Sequence, residues 1–192
     1  RVSGNEYLYR MEYRASYDLD DVLAHNLDSN AKLVEYVVSR VGKGLPIHIH
    51  SSQVDGDQVF SCTSFQAARS GKDGYYYGRN YDFYKNPTMV TFSHPDKGYA
   101  SVAVSDMSHF GYSLDKVPTS LASKVMCLAS IYAPVDGINE KGLCTSIMAL
   151  PHQASMQNTG KPVAGTTILM RLFLDRCATV EEAVELLSQV DV

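Results

Sequence analysis

Four cysteines are all this 192-residue chain has, and Cys62, Cys127, Cys144 and Cys177 lie far apart with no Cys-x-x-Cys pair among them. That spacing makes a poor zinc or disulfide framework, so cysteine usage does not reveal the compartment. Basic charge is not in excess: a net charge of -4 and a pI of about 5.8 argue against a nucleic-acid-binding surface. No apolar run is long enough to cross a bilayer, and there is no repeat and no low-complexity tract. His48 and His50 alternate along one strand face but lack a third ligand, so no metal site is expected. Gly42 to Gly44 follows a helical pattern rather than a strand, which makes it a helix stop and not a phosphate loop. A 45% hydrophobic fraction is enough for one sizeable core and one domain. The chain starts at Arg1 rather than Met, which points to something removed upstream: an initiator, a signal, an anchor or a cloning boundary.

The apolar pattern predicts strands before helices. Residues 5–13, "NEYLYRMEY", alternate as a strand. Leu33, Val34, Val37, Val38 and Val41 then share one helical face, with Ser29 as its cap. Turn formers between Leu45 and Asp57 predict a surface loop. "VFSCTSFQAA", "SGKDG" and "YYYGRNYDF" read as strand, turn and returning strand of a hairpin. Two strands follow at "TMVTFSHP" and "YASVAVSD". Next come a helix in "PTSLASKVMCLASIYAP" closed by Pro134, and a strand at "GLCTSIMAL". Two amphipathic helices end the chain, the second with Thr179 and Glu182 at capping-box spacing. The order predicts an α+β fold, with helices covering one face of a largely antiparallel sheet.

The hairpin carries the chemistry. A thiol at the start of one strand comes back beside residues at the end of its partner, so Arg79 and Asp82 return towards Cys62. An arginine near a thiol favours the thiolate. No histidine is tied to the site: His94 and His109 are distant, and a Cys–His hydrolase would need that base. Alone, a cysteine in a strand reads as core, as do Cys127, Cys144 and Cys177 on apolar faces; likewise "YYYG" reads as sheet packing, although Tyr81 and Tyr84 stand where they would line a pocket. One solution supplies the base. Cutting the Ser61–Cys62 bond gives Cys62 a free α-amine, whose ordinary pKa of about 7.7–8.0 suits it to take the thiol proton. Asp82 would then hold the amine, and Arg79 would stabilise the thiolate.

"CTSF", "GRNYDF" and "DGINEKGLCTSIMAL" resemble, in order, the signature segments of the choloylglycine hydrolase and penicillin V acylase family. These are N-terminal nucleophile hydrolases, related to acid-ceramidase-like amidases and isopenicillin N acyltransferase. The resemblance implies an αββα layered fold in which Cys62 is the nucleophile, Arg79 and Asp82 are its partners, and Ser61–Cys62 is the autocleavage site. It also implies that the Asn139–Leu143 turn introduces a strand whose backbone N–H at Ala149 serves the oxyanion. Ala149 stands where the family often has Asn or Tyr, so a side-chain contact to substrate is lost there.

Two departures from the family shape the expectations. Residues 1–61 form a leader with its own strand and helix, and residues 62–192 read as the front portion of the catalytic domain. The remaining C-terminal portion, with a second oxyanion donor, is the expected partner, alongside a small-molecule N-acyl amide; homo-oligomerisation is compatible with the same reading. The implied activity is hydrolysis of a linear amide through an acyl-enzyme on Cys62, without metal or organic cofactor. Acyl transfer on the same site and a non-cleaving, non-catalytic binding role are the alternatives. An extracytoplasmic or membrane-anchored location is slightly favoured over a cytoplasmic one. Bile salts, penicillin V, N-acyl amino acids and N-acyl lipids are all substrates compatible with the motifs.

Overall fold

A computed structural model describes residues 1–27, 30–42, 61–83, 85–149 and 157–192. The first strand, β1 (Leu8–Tyr13), lies at the edge of a five-stranded sheet with β4 (Thr88–Ser93), β5 (Ser101–Asp106), β6 (Asp136–Asn139) and β7 (Cys144–Ser146), in the order β1-β4-β5-β6-β7. Every neighbouring pair is antiparallel except β1 with β4, where Leu8 faces Thr88 and Tyr13 faces Ser93 in parallel register. Parallel pairing demands a long crossover. Here it contains α1 (Leu19–Ala24), α2 (Asn30–Gly42) and a separate two-stranded sheet of β2 (Ser61–Ala68) and β3 (Tyr75–Asp82).

Strands β4 and β5 alternate as their sequences require, with Met89, Thr91, Ser93, Ala103 and Ser105 buried. The small residues let the helical layer approach closely, so that Ser105 Oγ donates to the Ser130 carbonyl at 2.9 Å. That layer starts as α3 (Leu121–Met126), capped by Ser120, and tightens into a 3-10 turn at Cys127–Tyr132. It stops at Ala133 because a residue before proline is pushed out of the helical region. Thr179 caps α5 (Val180–Leu187) by accepting from the Glu182 N–H at 3.3 Å. The Glu182 carboxylate reaches back to the Ala178 N–H at 2.6 Å rather than to that of Thr179.

The predicted α2 face is inward. Tyr36 and Val37 are buried, and Leu33, Val38 and Val41 pack against the same core as Leu19, Val22, Ile131, Ile168 and Leu172. Three expectations differ from what folds. Helix α4 (Thr166–Arg176) is not amphipathic: Ile168 to Leu172, Leu174 and Asp175 are all buried, and the charge of Arg171 is neutralised within the helix by Asp175. The strand expected over "GLCTSIMAL" pairs only at Cys144–Ser146. The sheet holding Cys62 is not covered by the later helices; Phe65, Tyr75 and Tyr76 are exposed on the hairpin, so "YYYG" is only in part a packing segment. The Ser29 cap, the Leu45–Asp57 loop, His48, His50, Gly44 and Tyr84 lie outside the described residues. Among the described residues no helix is long and apolar enough to cross a membrane.

Candidate active site

The predicted hairpin forms, and its register fixes what meets what. Cys62 faces Tyr81, Ser64 faces Arg79, and Ser61 faces Asp82. Side chains alternate across a strand, so Cys62, Tyr77, Arg79 and Tyr81 share one face of the hairpin, while Asp82 and Asn80 share the other. The first face is turned to the large sheet. The Tyr77 hydroxyl bonds to Ser146 Oγ on β7, the Arg79 guanidinium reaches Asp136 on β6, and the Tyr81 hydroxyl donates to Asp106 at the end of β5 at 3.2 Å. Three alternate residues therefore pin the hairpin to three strands.

Arg79 is the centre of this arrangement. Its side chain is 4% exposed. Nη1 donates to Asp136 Oδ2 at 3.0 Å, and Nη2 is shared between Cys62 Sγ at 3.6 Å and the carbonyl of Ile147. The guanidinium also lies 4.5 Å from the Tyr81 ring centroid. A buried guanidinium without counter-charge is costly, so the Asp136 carboxylate stabilises it there. Burial in turn pushes the Asp136 carboxyl above its ordinary pKa, and Arg79 pulls it partly back. Burial, followed by the Asp106 charge, pushes the Tyr81 hydroxyl well above the ordinary phenol range. Asp106 also accepts from Asn86 Nδ2 at 3.1 Å and from the Ser108 N–H at 2.8 Å, which holds it against Tyr81.

Of the sequence-predicted residues, Cys62 and Arg79 come together. Asp82 stands beside the Ser61–Cys62 bond through its pairing with Ser61, but on the face away from the thiol, where its carboxylate accepts from Asn80 Nδ2 at 2.6 Å. Ala149 is exposed and lies past the end of β7, two residues beyond the carbonyl held by Arg79. The turn from Asn139 to Leu143 forms as expected. Asn139 Oδ1 accepts from the Lys141 and Leu143 N–H groups, and Gly142 takes a φ of 90°. Asn139 Nδ2 donates to the Leu174 and Cys177 carbonyls, which ties β6 to the end of α4.

Sequence reasoning missed Asp136. The signal was present, since Asp136 opens the quoted "DGINEKGL" segment, but β6 was not expected and so nothing aimed its side chain at the hairpin. Tyr77 and Asp106 were missed as well; the period-two spacing of Tyr77, Arg79 and Tyr81 would have pointed to a shared face. Cys127 and Cys177 are buried as expected, while Cys144 is only half-buried. A cleft of about 360 Å³ opens beside α4 and α5, lined by Leu23, Leu172, Arg176, Cys177 and Glu182, and none of the site residues lines it.

No curated protein and no solved structure matches the chain at a significant level. The sequence model for acyl-coenzyme A:6-aminopenicillanic acid acyl-transferase matches residues 69–192. That span takes in Arg79, Asp82, Asp136 and Ala149 and begins just past Cys62. With more than half of its length matched, the chain belongs to the acyl-coenzyme A:6-aminopenicillanic acid acyl-transferase family, within the N-terminal nucleophile superfamily that also holds choloylglycine hydrolases and penicillin acylases.

Proposed function

We propose that this chain carries the nucleophile of a cysteine enzyme that takes an acyl group from a linear N-acyl amide. The observation that supports it most is the Arg79 amino group 3.6 Å from Cys62 Sγ, on the strand paired with the thiol's own. A guanidinium there donates to the sulfur and orients it for attack. The reading begins with self-cleavage. Cys62 Sγ attacks the Ser61 carbonyl, the acyl group shifts from nitrogen to sulfur, and water releases the thioester, leaving Cys62 with a free α-amine. In this reading Asp82, whose strand position pairs with Ser61, holds that amine once the bond is cut.

In turnover the thiolate adds to the substrate carbonyl carbon. The oxyanion is held by the Ala149 N–H, an interaction of a kind worth about 3 kcal/mol. As the C–N bond breaks, the leaving amine takes its proton from the Cys62 α-ammonium. An acyl thioester on Cys62 is left, and water activated by the same amine releases the acid. A second amine in place of water gives acyl transfer, the reaction named in the family's description. Both branches share the acyl-Cys62 intermediate.

N-terminal sequencing and intact mass of the purified protein test the reading together with an amide panel run with and without an amine acceptor. The expected outcome is a new N-terminus at Cys62, lost in Cys62→Ala along with all turnover. Active protein whose only N-terminus is upstream of Cys62 overturns it.

A further inference from the structure

We propose that Asp136 is the positioning residue of this site: its carboxylate holds the Arg79 guanidinium so that one amino group is shared between the Cys62 thiol and the Ile147 carbonyl. The proposal rests on the reading of Cys62 as nucleophile and extends it to the group that aims its activator.

The geometry carries it. Arg79 rises from the hairpin, which among the described residues has no backbone pairing with the large sheet. A long arginine side chain has many rotamers, and only a second anchor fixes which nitrogen meets the sulfur. Asp136 supplies it from β6 by binding Nη1 at 3.0 Å, which leaves Nη2 pointing between Sγ and the Ile147 carbonyl. Asp136 is itself rigidly placed. Its strand pairs with β5 on one side and β7 on the other, Asp136 facing Val104 and Ser146. The neighbouring Gly137 packs so tightly that a Cβ there would lie 2.8 Å from both Leu174 Cδ1 and the Val102 carbonyl. The Arg79 Nε has no hydrogen-bond partner among the described residues, so the guanidinium is held through Asp136, Ile147 and the Tyr81 ring. The same clamp reaches Ile147, two residues before Ala149. One carboxylate thus sets the thiol's cation and the segment that carries the oxyanion donor together.

A counter-charge and an anchor predict opposite signs. If Asp136 merely neutralises Arg79, removing it leaves a stronger cation beside the sulfur, and Cys62 becomes more reactive. If it anchors Arg79, removing it lets the guanidinium leave, and Cys62 becomes less reactive. The test is the rate at which iodoacetamide alkylates Cys62 near neutral pH in the full chain, resolved by peptide mass spectrometry and divided by the rate at half-buried Cys144. Buried Cys127 and Cys177 report unfolding in the same sample. Asp136→Ala is expected to lower the Cys62-to-Cys144 ratio about tenfold, and Asp136→Asn to lower it less, because its amide oxygen still accepts from Nη1. In an Arg79→Gln background neither change should alter the ratio further. Should Asp136→Ala expose Cys127, the Asn variant decides by the same sign. A ratio equal to or above that of the unsubstituted chain, in a variant whose Cys127 and Cys177 stay protected, overturns the proposal. The Cys62 reading fails on a different result, turnover that survives Cys62→Ala.

Discussion

Replacing Asp175 with Ala should destabilise the protein severely, and the reason lies in a polar network sealed inside the core. Arg171, Asp175 and Tyr17 are 0%, 3% and 2% exposed. Asp175 Oδ1 receives Arg171 Nε at 2.8 Å and Nη2 at 2.7 Å, while its Oδ2 receives the Tyr17 hydroxyl at 2.7 Å. Arg171 Nη2 continues to Ser101 Oγ at 2.6 Å, which meets Ser93 Oγ at 2.7 Å. The network joins α4 to β5, to β4 and to the segment before α1. Removing the carboxylate leaves a guanidinium that cannot deprotonate and cannot reach water, a loss of about 3–5 kcal/mol. For a chain of this size that is a fall of about 6–20 °C in Tm. Arg171→Met should be milder at acidic pH, because the remaining carboxyl can neutralise itself by taking a proton. Burial already raises its pKa against the opposing pull of Arg171 and Tyr17. The sign follows: a carboxyl whose folded pKa is raised loses stability as pH increases towards that pKa, so Arg171→Met should weaken as the solution is made less acidic. The double variant Arg171→Met with Asp175→Leu should recover most of the loss. Urea unfolding at two pH values measures all three. An Asp175→Ala variant within about 1 kcal/mol of the parent, the range of an exposed pair, would refute the reasoning, as would a double variant no more stable than the single one.

Gly137→Ala should cost about 1–3 kcal/mol in thermal or urea unfolding, since the added methyl meets the Val102 carbonyl as well as Leu174, and backbone cannot step aside as a side chain can. Asp136→Asn should flatten the pH dependence of stability. Burial raises the folded pKa of Asp136, so its ionisation erodes stability as pH rises from about 4, the ordinary carboxylate value, and urea midpoints taken across that range should lose this fall. If the Ser61–Cys62 bond is cut, non-denaturing mass spectrometry should still find both pieces in one particle, and separation of the pieces in native buffer would contradict the shared core.

Elements with strong local signals were legible. The α2 face, the Ser61–Asp82 hairpin, β4, β5 and the Thr179 cap all follow from period and capping chemistry that neighbours reinforce. Helix α1 was not, because Leu19–Ala24 is six residues long and its apolar residues pack by tertiary contact rather than by pattern. Strand β6 was hidden for a similar reason: "DGIN" has poor strand propensity and forms only because β5 and β7 flank it. With β6 unseen, Asp136 had no predicted direction, and an arginine's partner is a three-dimensional fact that spacing along the chain does not encode. The pairing of Cys62 with Arg79 was legible because a hairpin makes it local. By contrast, nothing in the strand pattern sets where the hairpin lies against the five-stranded sheet; that follows from the side-chain bonds of Tyr77, Arg79 and Tyr81.

Residues 1–27 and 30–42 are part of the folding unit rather than an appendage to it. Strand β1 supplies the parallel partner of β4, and Tyr17, Leu19, Val22, Leu27, Tyr36 and Val37 are buried in one cluster with Ile131, Ile168 and Leu172. Burying each large apolar side chain contributes about 1.5–3 kcal/mol, so exposing six of them would cost about 9–18 kcal/mol, comparable to the whole net stability of a typical domain, about 5–15 kcal/mol. Tyr17 adds a hydroxyl bond into the sealed Arg171–Asp175 pair, and the Tyr132 hydroxyl donates to the Tyr17 carbonyl at 2.9 Å. Cutting the backbone between Ser61 and Cys62 would change none of these contacts. Among the described residues it would release the constraint at the start of β2. Rigidity is thus concentrated in the core that β1, α1 and α2 complete, while the bond proposed for cleavage lies at the end of an exposed hairpin strand, where local rearrangement costs least.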